Sequence, residues 1–219
     1  MTIIRTYDEF VGVLNEKGFM LFCGSGGYLS LRDVTEPSAW HTGGEADPWG
    51  WKDRLAERRD GAYAHMLGGN GGFISREWYP AAHAAWAVDI YERYAAGLVP
   101  RLAMEMWRLF EARPVWGRHE LRRALIGRFE RKNEFETALR YLERSMLITI
   151  SGQVQPVSLS GRPMGWQAME YARADVYLGD WLCGTEPDAA SARQMIRERA
   201  YANSPAMTEA EYARCFGGI

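Results

Sequence analysis

Residues 40–54 read Trp-His-Thr-Gly-Gly-Glu-Ala-Asp-Pro-Trp-Gly-Trp-Lys-Asp-Arg. Three tryptophans (Trp40, Trp49 and Trp51) share these positions with His41, the acids Glu45, Asp47 and Asp53, and the cations Lys52 and Arg54. A core segment shows a clean apolar period, and an ordinary loop is poor in tryptophan. Flat side chains mixed with titratable ones suit a pocket for a planar ligand, such as a nucleobase held by stacking. In such a pocket Glu45 or Asp47 supplies a carboxylate and His41 a proton relay near neutral pH. Trp40, Trp49 and Trp51 form the stacking wall, with Lys52 and Arg54 beside them. Each residue also has a plainer reading. Asp47-Pro48 is a helix start, Trp51 and Leu55 fall on one helical face as core residues do, and Lys52 and Arg54 sit on a solvated helix.

No cofactor is expected. The spacing His41, Glu45, Asp47 matches no metal site, and His65, His83 and His119 are scattered. The glycine clusters at 24–27 and 68–72 lack the lysine and hydroxyl residue of a phosphate-binding loop, and no G-x-S-x-G elbow is present. Cys23, Cys183 and Cys215 form no C-x-x-C pair, which fits a reducing compartment and a cytoplasmic protein. The opening residues lack a signal-peptide pattern, and no apolar run approaches the ~18 residues of a membrane span. A net charge of −2 gives no global attraction to nucleic acid, so any such contact must be local.

The elements that must position the candidate site follow from capping and periodicity. Thr6 to Glu9 is a capping box opening a helix with Phe10, Val13 and Leu14 inward, closed by Gly18. Residues 19–22 read as a short buried strand, 24–27 as a turn, and Asp47-Pro48 opens a helix to about Arg58. Strands over 62–66 and 72–74 bracket a glycine-rich tip. Ser75 is read as the cap of a helix over 80–96, with Pro80 in its first turn; Gly97 separates it from one over 99–112. A short helix follows over 120–127, and then a longer one with Phe135, Ala138, Leu139, Leu142 and Met146 on one face. After that come a strand at 147–150, a turn at Ser151-Gly152, a second strand at 153–159 interrupted by Pro156, and a turn at 160–163. The tail from 185 reads as one or two peripheral helices, and no internal repeat is visible. Helices followed by a small antiparallel hairpin are the order of a winged helix-turn-helix.

Residues 113–144 hold nine basic side chains (Arg113, Arg118, Arg122, Arg123, Arg128, Arg131, Lys132, Arg140 and Arg144) against the five acids Glu120, Glu130, Glu134, Glu136 and Glu143. A phosphate backbone rewards such a surplus through counterion release. The alternative is a solvated face laced with pairs such as Glu136–Arg140.

Leu121 to Leu125 followed by Phe135 to Glu143 resembles the helix pair of the AlkZ/YcaQ-type winged-helix superfamily. Trp40-His41-Thr42, Asp47 to Arg54 and Gly72 to Glu77 resemble its AlkZ-related branch more closely. The likeness covers most of residues 5–182 and leaves the tail outside. It implies an α+β, mostly helical fold with winged helix-turn-helix domains, two in tandem. The expected division is 1–97 (with the candidate pocket), 98–182 (the DNA-binding-like domain) and 183–219 (a helical tail). Better-known members of the superfamily are DNA glycosylases with a Gln-x-Gln or Gln-x-Asp signature in the N-terminal part. Here the only Gln-x-Gln, Gln153-Val154-Gln155, lies in the later hairpin, where it reads as coincidence. Trp40, His41, Glu45 and Asp47 occupy the region of the signature.

Three readings stay open. The first is a duplex-DNA-binding protein using Arg118, Arg122, Arg123, Arg128, Arg131, Lys132 and Arg140, acting in a repair setting. The second is a glycosylase with a re-cast site on His41, Glu45 and Asp47. The third is a non-catalytic ligand-binding or interaction protein on the same scaffold.

Overall fold

The Thr6/Glu9 and Asp47-Pro48 start signals form helices where they are expected. The computed structural model describes residues 3–24, 27–158, 162–163, 165–184 and 187–217. Helix α1 (Tyr7–Lys17) begins on the Thr6/Glu9 capping box and ends at Gly18 with φ 81°. Strand β1 (Phe19–Leu21) follows, then two short 3-10 turns (Leu31–Val34 and Pro37–Ala39). Helix α2 (Pro48–Arg58) opens on Asp47, and the hairpin of β2 (Gly61–Leu67) and β3 (Asn70–Ser75) turns at Gly68-Gly69. Helices α3 (Tyr79–Trp86) and α4 (Ile90–Ala95) connect to a second series: α5 (Arg101–Ala112), β4 (Val115–Gly117), α6 (Arg118–Ala124), α7 (Lys132–Arg144), β5 (Ile148–Val154) and β6 (Ala168–Arg173). The chain ends with α8 (Ala174–Tyr177), a 3-10 turn (Gly179–Leu182), α9 (Ala189–Asn203) and α10 (Glu209–Phe216).

The fold is α+β. Two three-stranded antiparallel sheets have matching topology: β1-β3-β2 and β4-β6-β5. In each, a helix precedes the first strand, helical segments separate the first strand from the second, and the third strand returns to the middle. A structural repeat is therefore present although no sequence repeat is visible.

Several local expectations change. Ser75 ends β3 and does not cap α3; its carbonyl accepts from the Trp78 N–H, and Pro80 lies in the first turn. The continuous helix over 80–96 is broken because Asp89 caps a new start, accepting from the N–H groups of Tyr91 and Glu92. Ser151-Gly152 is a bulge inside β5 and not a turn: Ile150 pairs with Tyr171 and Gly152 with Glu170, leaving Ser151 as the extra residue. The partner strand is β6 and not 153–159, since β5 stops at Val154, just before Pro156, which has no N–H for a ladder. Leu159, Ser160 and Gly161 of the expected strand and turn lie outside the described residues, as do Ser25 and Gly26 of the turn at 24–27.

The first sheet is buried on both faces, which explains the unbroken apolar run of β1. Met20, Tyr63 and Phe73 face one core with Phe10, Leu14, Trp51, Leu55, Phe110, Leu142 and Tyr171. Phe19, Leu21, Ala62, Ala64 and Ile74 face another with Tyr79, Trp86, Ile196, Ala200 and Phe216. The tail is thus part of the core. Phe216 sets its ring edge-on to Phe19 at 5.7 Å and to Tyr28 at 4.8 Å. The two series also meet directly, since α2 packs on β5 and α7 on β2, and the Thr149 hydroxyl donates to the Tyr63 carbonyl at 3.2 Å.

Gly68 shows how tightly the tail seats. Its φ is 61°, and a Cβ there would stand 1.6 Å from the Arg214 carbonyl oxygen. Gly68→Ala is expected to destabilise the chain by more than about 2 kcal/mol in urea unfolding. A variant as stable as wild type would show that α10 does not close on the β2–β3 tip.

Candidate functional site

Asp47 organises the loop that leads into α2. Its Oδ1 accepts from the backbone N–H groups of His41 (3.0 Å) and Trp49 (2.9 Å), and its Oδ2 from that of Gly43 (2.9 Å). His41 is held at φ 62°, a left-handed backbone that a non-glycine residue adopts only when its surroundings impose it. Burial pushes the Asp47 pKa up, yet the three backbone donors together with nearby His41 outweigh it and hold the carboxyl below its ordinary value. The carboxylate is ionised and already engaged by the loop it shapes.

The rest of the stretch divides between two sides of α2. On one side His41 lies 4.8 Å from Trp49, ring centre to ring centre, and Phe22 lies 5.4 Å from Trp40 and 5.5 Å from Trp49. Trp40 is buried and donates from Nε1 to Thr35 Oγ1 at 2.9 Å, whereas Trp49 is exposed. Lys52, expected on a solvated face, is instead buried beneath them. Its Nζ is 4.7 Å from the centre of the Trp49 ring and 2.6 Å from Asp53 Oδ2. An aromatic face and an adjacent carboxylate compensate the ammonium for lost water.

On the other side Glu45 and Arg54 meet at 3.2 Å, and the Arg54 guanidinium lies 4.2 Å from the Tyr7 ring centre. These residues line an open cleft of about 330 Å³ with Arg5, Thr6, Asp8 and Ala46. Trp51 lies in the core and forms no cleft wall; it stacks on Phe10 at 5.8 Å and donates from its indole to the Glu45 carbonyl. Among the described residues no group of three or more His, Cys, Asp or Glu side chains converges as metal ligands do.

The basic residues of the second series take up a different surface. Arg118 turns inward, pairing with Glu136 and donating to the Tyr171 hydroxyl at 3.3 Å, so Glu136 is engaged there. Arg123, Arg128, Arg131, Lys132 and Arg140 are exposed. Arg122 is half-buried, its guanidinium 5.7 Å from the Phe129 ring and 5.8 Å from that of Phe135. None of these six forms an ion pair among the described residues. Beside them the loop from β5 to β6 borders two clefts against α6, one lined in part by Gln155. Gln155 donates to the Gly165 carbonyl at 3.3 Å, while Gln153 pairs with Met169 within the sheet.

A half-buried His65 and a buried Glu143 form a polar pair that joins the two series and was not read from the sequence. Glu143 of α7 is fully buried and accepts from the His65 backbone N–H at 3.2 Å and from its Nδ1 at 3.0 Å. The signal was a charged residue at apolar spacing, one turn after Leu139 and beside Leu142. Burial lowers the His65 pKa, but attraction and hydrogen bonding from Glu143 outweigh this, and the net shift is upward.

The sequence model of AlkZ-related proteins matches residues 4–217. The chain belongs to the AlkZ-related family. The match takes in the tail, which the resemblance had left outside. Among solved structures the AlkZ-related chain is similar to the Streptomyces sahachiroi DNA glycosylase AlkZ, at 13% identity and a TM-score of 0.44. That similarity covers 99% of this chain and 60% of the glycosylase, so the AlkZ-related chain spans less than two thirds of its length. Comparison with curated proteins gives no match.

Two expected outcomes follow. Asp47→Ala strands three backbone donors and uncaps α2, so it is expected to cost roughly 2 kcal/mol in urea unfolding; an unchanged midpoint would contradict the organising role. For His65, a raised pKa in the folded state means stabilisation that is complete below the unfolded value near ~6.5 and lost as pH rises through the folded value. The difference in unfolding free energy between wild type and His65→Gln should therefore be larger at about pH 5.5 than at about pH 8.5. A difference independent of pH would refute the ionic pairing with Glu143.

Proposed function

We propose that the chain is a DNA-binding protein of tandem winged-helix type, acting in a DNA-repair setting, with α6, α7 and the β5–β6 loop as its duplex-binding face. The observation that carries this reading is the set of exposed cationic side chains on that face that form no ion pair among the described residues. Arg123, Arg128, Arg131, Lys132 and Arg140 are exposed beside a strand-loop-strand element, inside a chain of net charge −2. Counterion release rewards such local surplus independently of global charge. The order α5-β4-α6-α7-β5-β6, with β6 in the middle of its sheet, supports assigning α7 as recognition helix and the β5–β6 loop as wing. The exposed outer positions of α7, Lys132, Asn133, Thr137 and Arg140, lie where a groove-reading helix presents its side chains. The matching order of the first series supports a second winged helix in which 3-10 turns stand in for the middle helix. Membership in the AlkZ-related family and the name of the similar glycosylase support the repair setting.

Binding is a better-supported role than hydrolysis on residues 40–54. Asp47 is engaged by three backbone donors, and Glu45 sits in solvent at the mouth of an open cleft. In this reading Asp47 is a positioning residue that holds His41 and Trp49 at the surface.

The test is titration of the full chain against a labelled duplex of about 20 base pairs at about 50 and 200 mM salt. With three or four phosphate contacts, affinity is expected to fall roughly 40- to 150-fold between the two. Arg123→Ala is expected to lower the salt slope by about one. Absent or salt-insensitive binding would overturn the proposal.

A further inference from the structure

The loop that joins β5 to β6 holds an indole almost entirely in water: Trp166 is 92% exposed. Ile126 of the α6–α7 turn is 73% exposed and Val157 50%, and both share a cleft of about 620 Å³ with Trp166. Single exposed apolar side chains need no explanation, but three lining one cleft mark a binding surface. A second cleft of about 420 Å³ adjoins it, sharing His119, Arg123, Pro156 and Val157.

The charge of this surface selects its occupant. Arg122 and Arg123 border the Trp166 cleft and form no ion pair among the described residues. The carboxylates of the adjoining cleft are already engaged, Glu120 by Arg113 at 2.7 Å and Glu170 by the Ser151 hydroxyl at 2.9 Å. The Arg122 guanidinium lies 5.7 Å from the Phe129 ring centre and 5.8 Å from that of Phe135. An exposed flat ring, two arginines and the amide of Gln167 thus converge on one opening. A stacked duplex keeps its base faces to itself, so only a base outside the stack can lie on an indole.

We propose that this cleft takes a single unpaired nucleobase of a DNA strand, stacked on Trp166, with the flanking phosphates on Arg122 and Arg123. The inference rests on the DNA-binding reading and adds to it a preference for distorted DNA. Stacking on Trp166 is tolerant of base identity, so the preference is for an unpaired position and not for a sequence.

The experiment compares the full chain, Trp166→Ala and Trp166→Phe on two labelled probes, a fully paired duplex of about 20 base pairs and the same duplex with a one-base bulge. The bulged probe is expected to bind about 5- to 10-fold more tightly than the paired one. Trp166→Ala lowers affinity for the bulged probe more than for the paired one and so removes that difference, while Trp166→Phe keeps most of it. Because Trp166 touches no core, loss of folding does not confound the comparison. Salt-sensitive binding of both probes without a bulge preference, or a preference intact in Trp166→Ala, overturns this inference and leaves duplex binding standing. No binding to either probe overturns both. A Trp166→Ala variant that changes only the sedimenting species identifies a self-association face, and the inference fails.

Discussion

Burial of the β1-β3-β2 sheet on both faces is the constraint on which the other packing depends. A strand buried on one face alternates apolar and polar residues; β1 is Phe-Met-Leu and has no outward side. One face needs α1 and α2 together with the helices of the second series. The other needs α3 and the tail helices. Neither the tail nor the second series is an appendage, because removing either would open an apolar sheet face to water. The Glu143–His65 pair sits where the two series meet, so a titratable contact is built into the join.

The same frame separates positioning from binding. Asp47 and the buried Lys52–Asp53 pair hold the 40–54 stretch from within, while residues 41–46, Trp49 and Gly50 are exposed and Arg54 is half-buried. The exposed cationic side chains of the proposed DNA face stand on α6, α7 and the segment between them, and the inner faces of the two helices are packed by Leu121, Phe135 and Leu139. In the proposed binding mode, a packed inner face with exposed cations outside would let phosphate bind without reorganising the core.

What the sequence disclosed was chiefly local. The Thr6/Glu9 box, the Asp47-Pro48 start and the apolar face of α7 are short-range patterns, and each forms as read except at Met146, which lies past the end of α7 at φ 58° and packs in the other core. Long-range facts were hidden. The partner of β5 lies beyond a loop containing Pro156 and Pro163, and nearer residues imitate a strand. The structural repeat has no sequence echo because 3-10 turns in the first series occupy the place of an α-helix in the second. For the candidate site, the aromatic and charged composition of 40–54 was visible. The burial of Lys52 and Trp51 depends on Phe22 and Phe10, which are far away in the chain. Arg118 looked like its basic neighbours until Tyr171 and Glu136 drew it inward.

Hydrogen–deuterium exchange of the full chain, with and without a saturating duplex, tests most directly which face meets DNA. The account predicts slowed exchange across 119–140 and the loop at 155–167, with the α9–α10 side unchanged. Slowing confined to 40–54, or none anywhere under conditions where the duplex is bound, would contradict it.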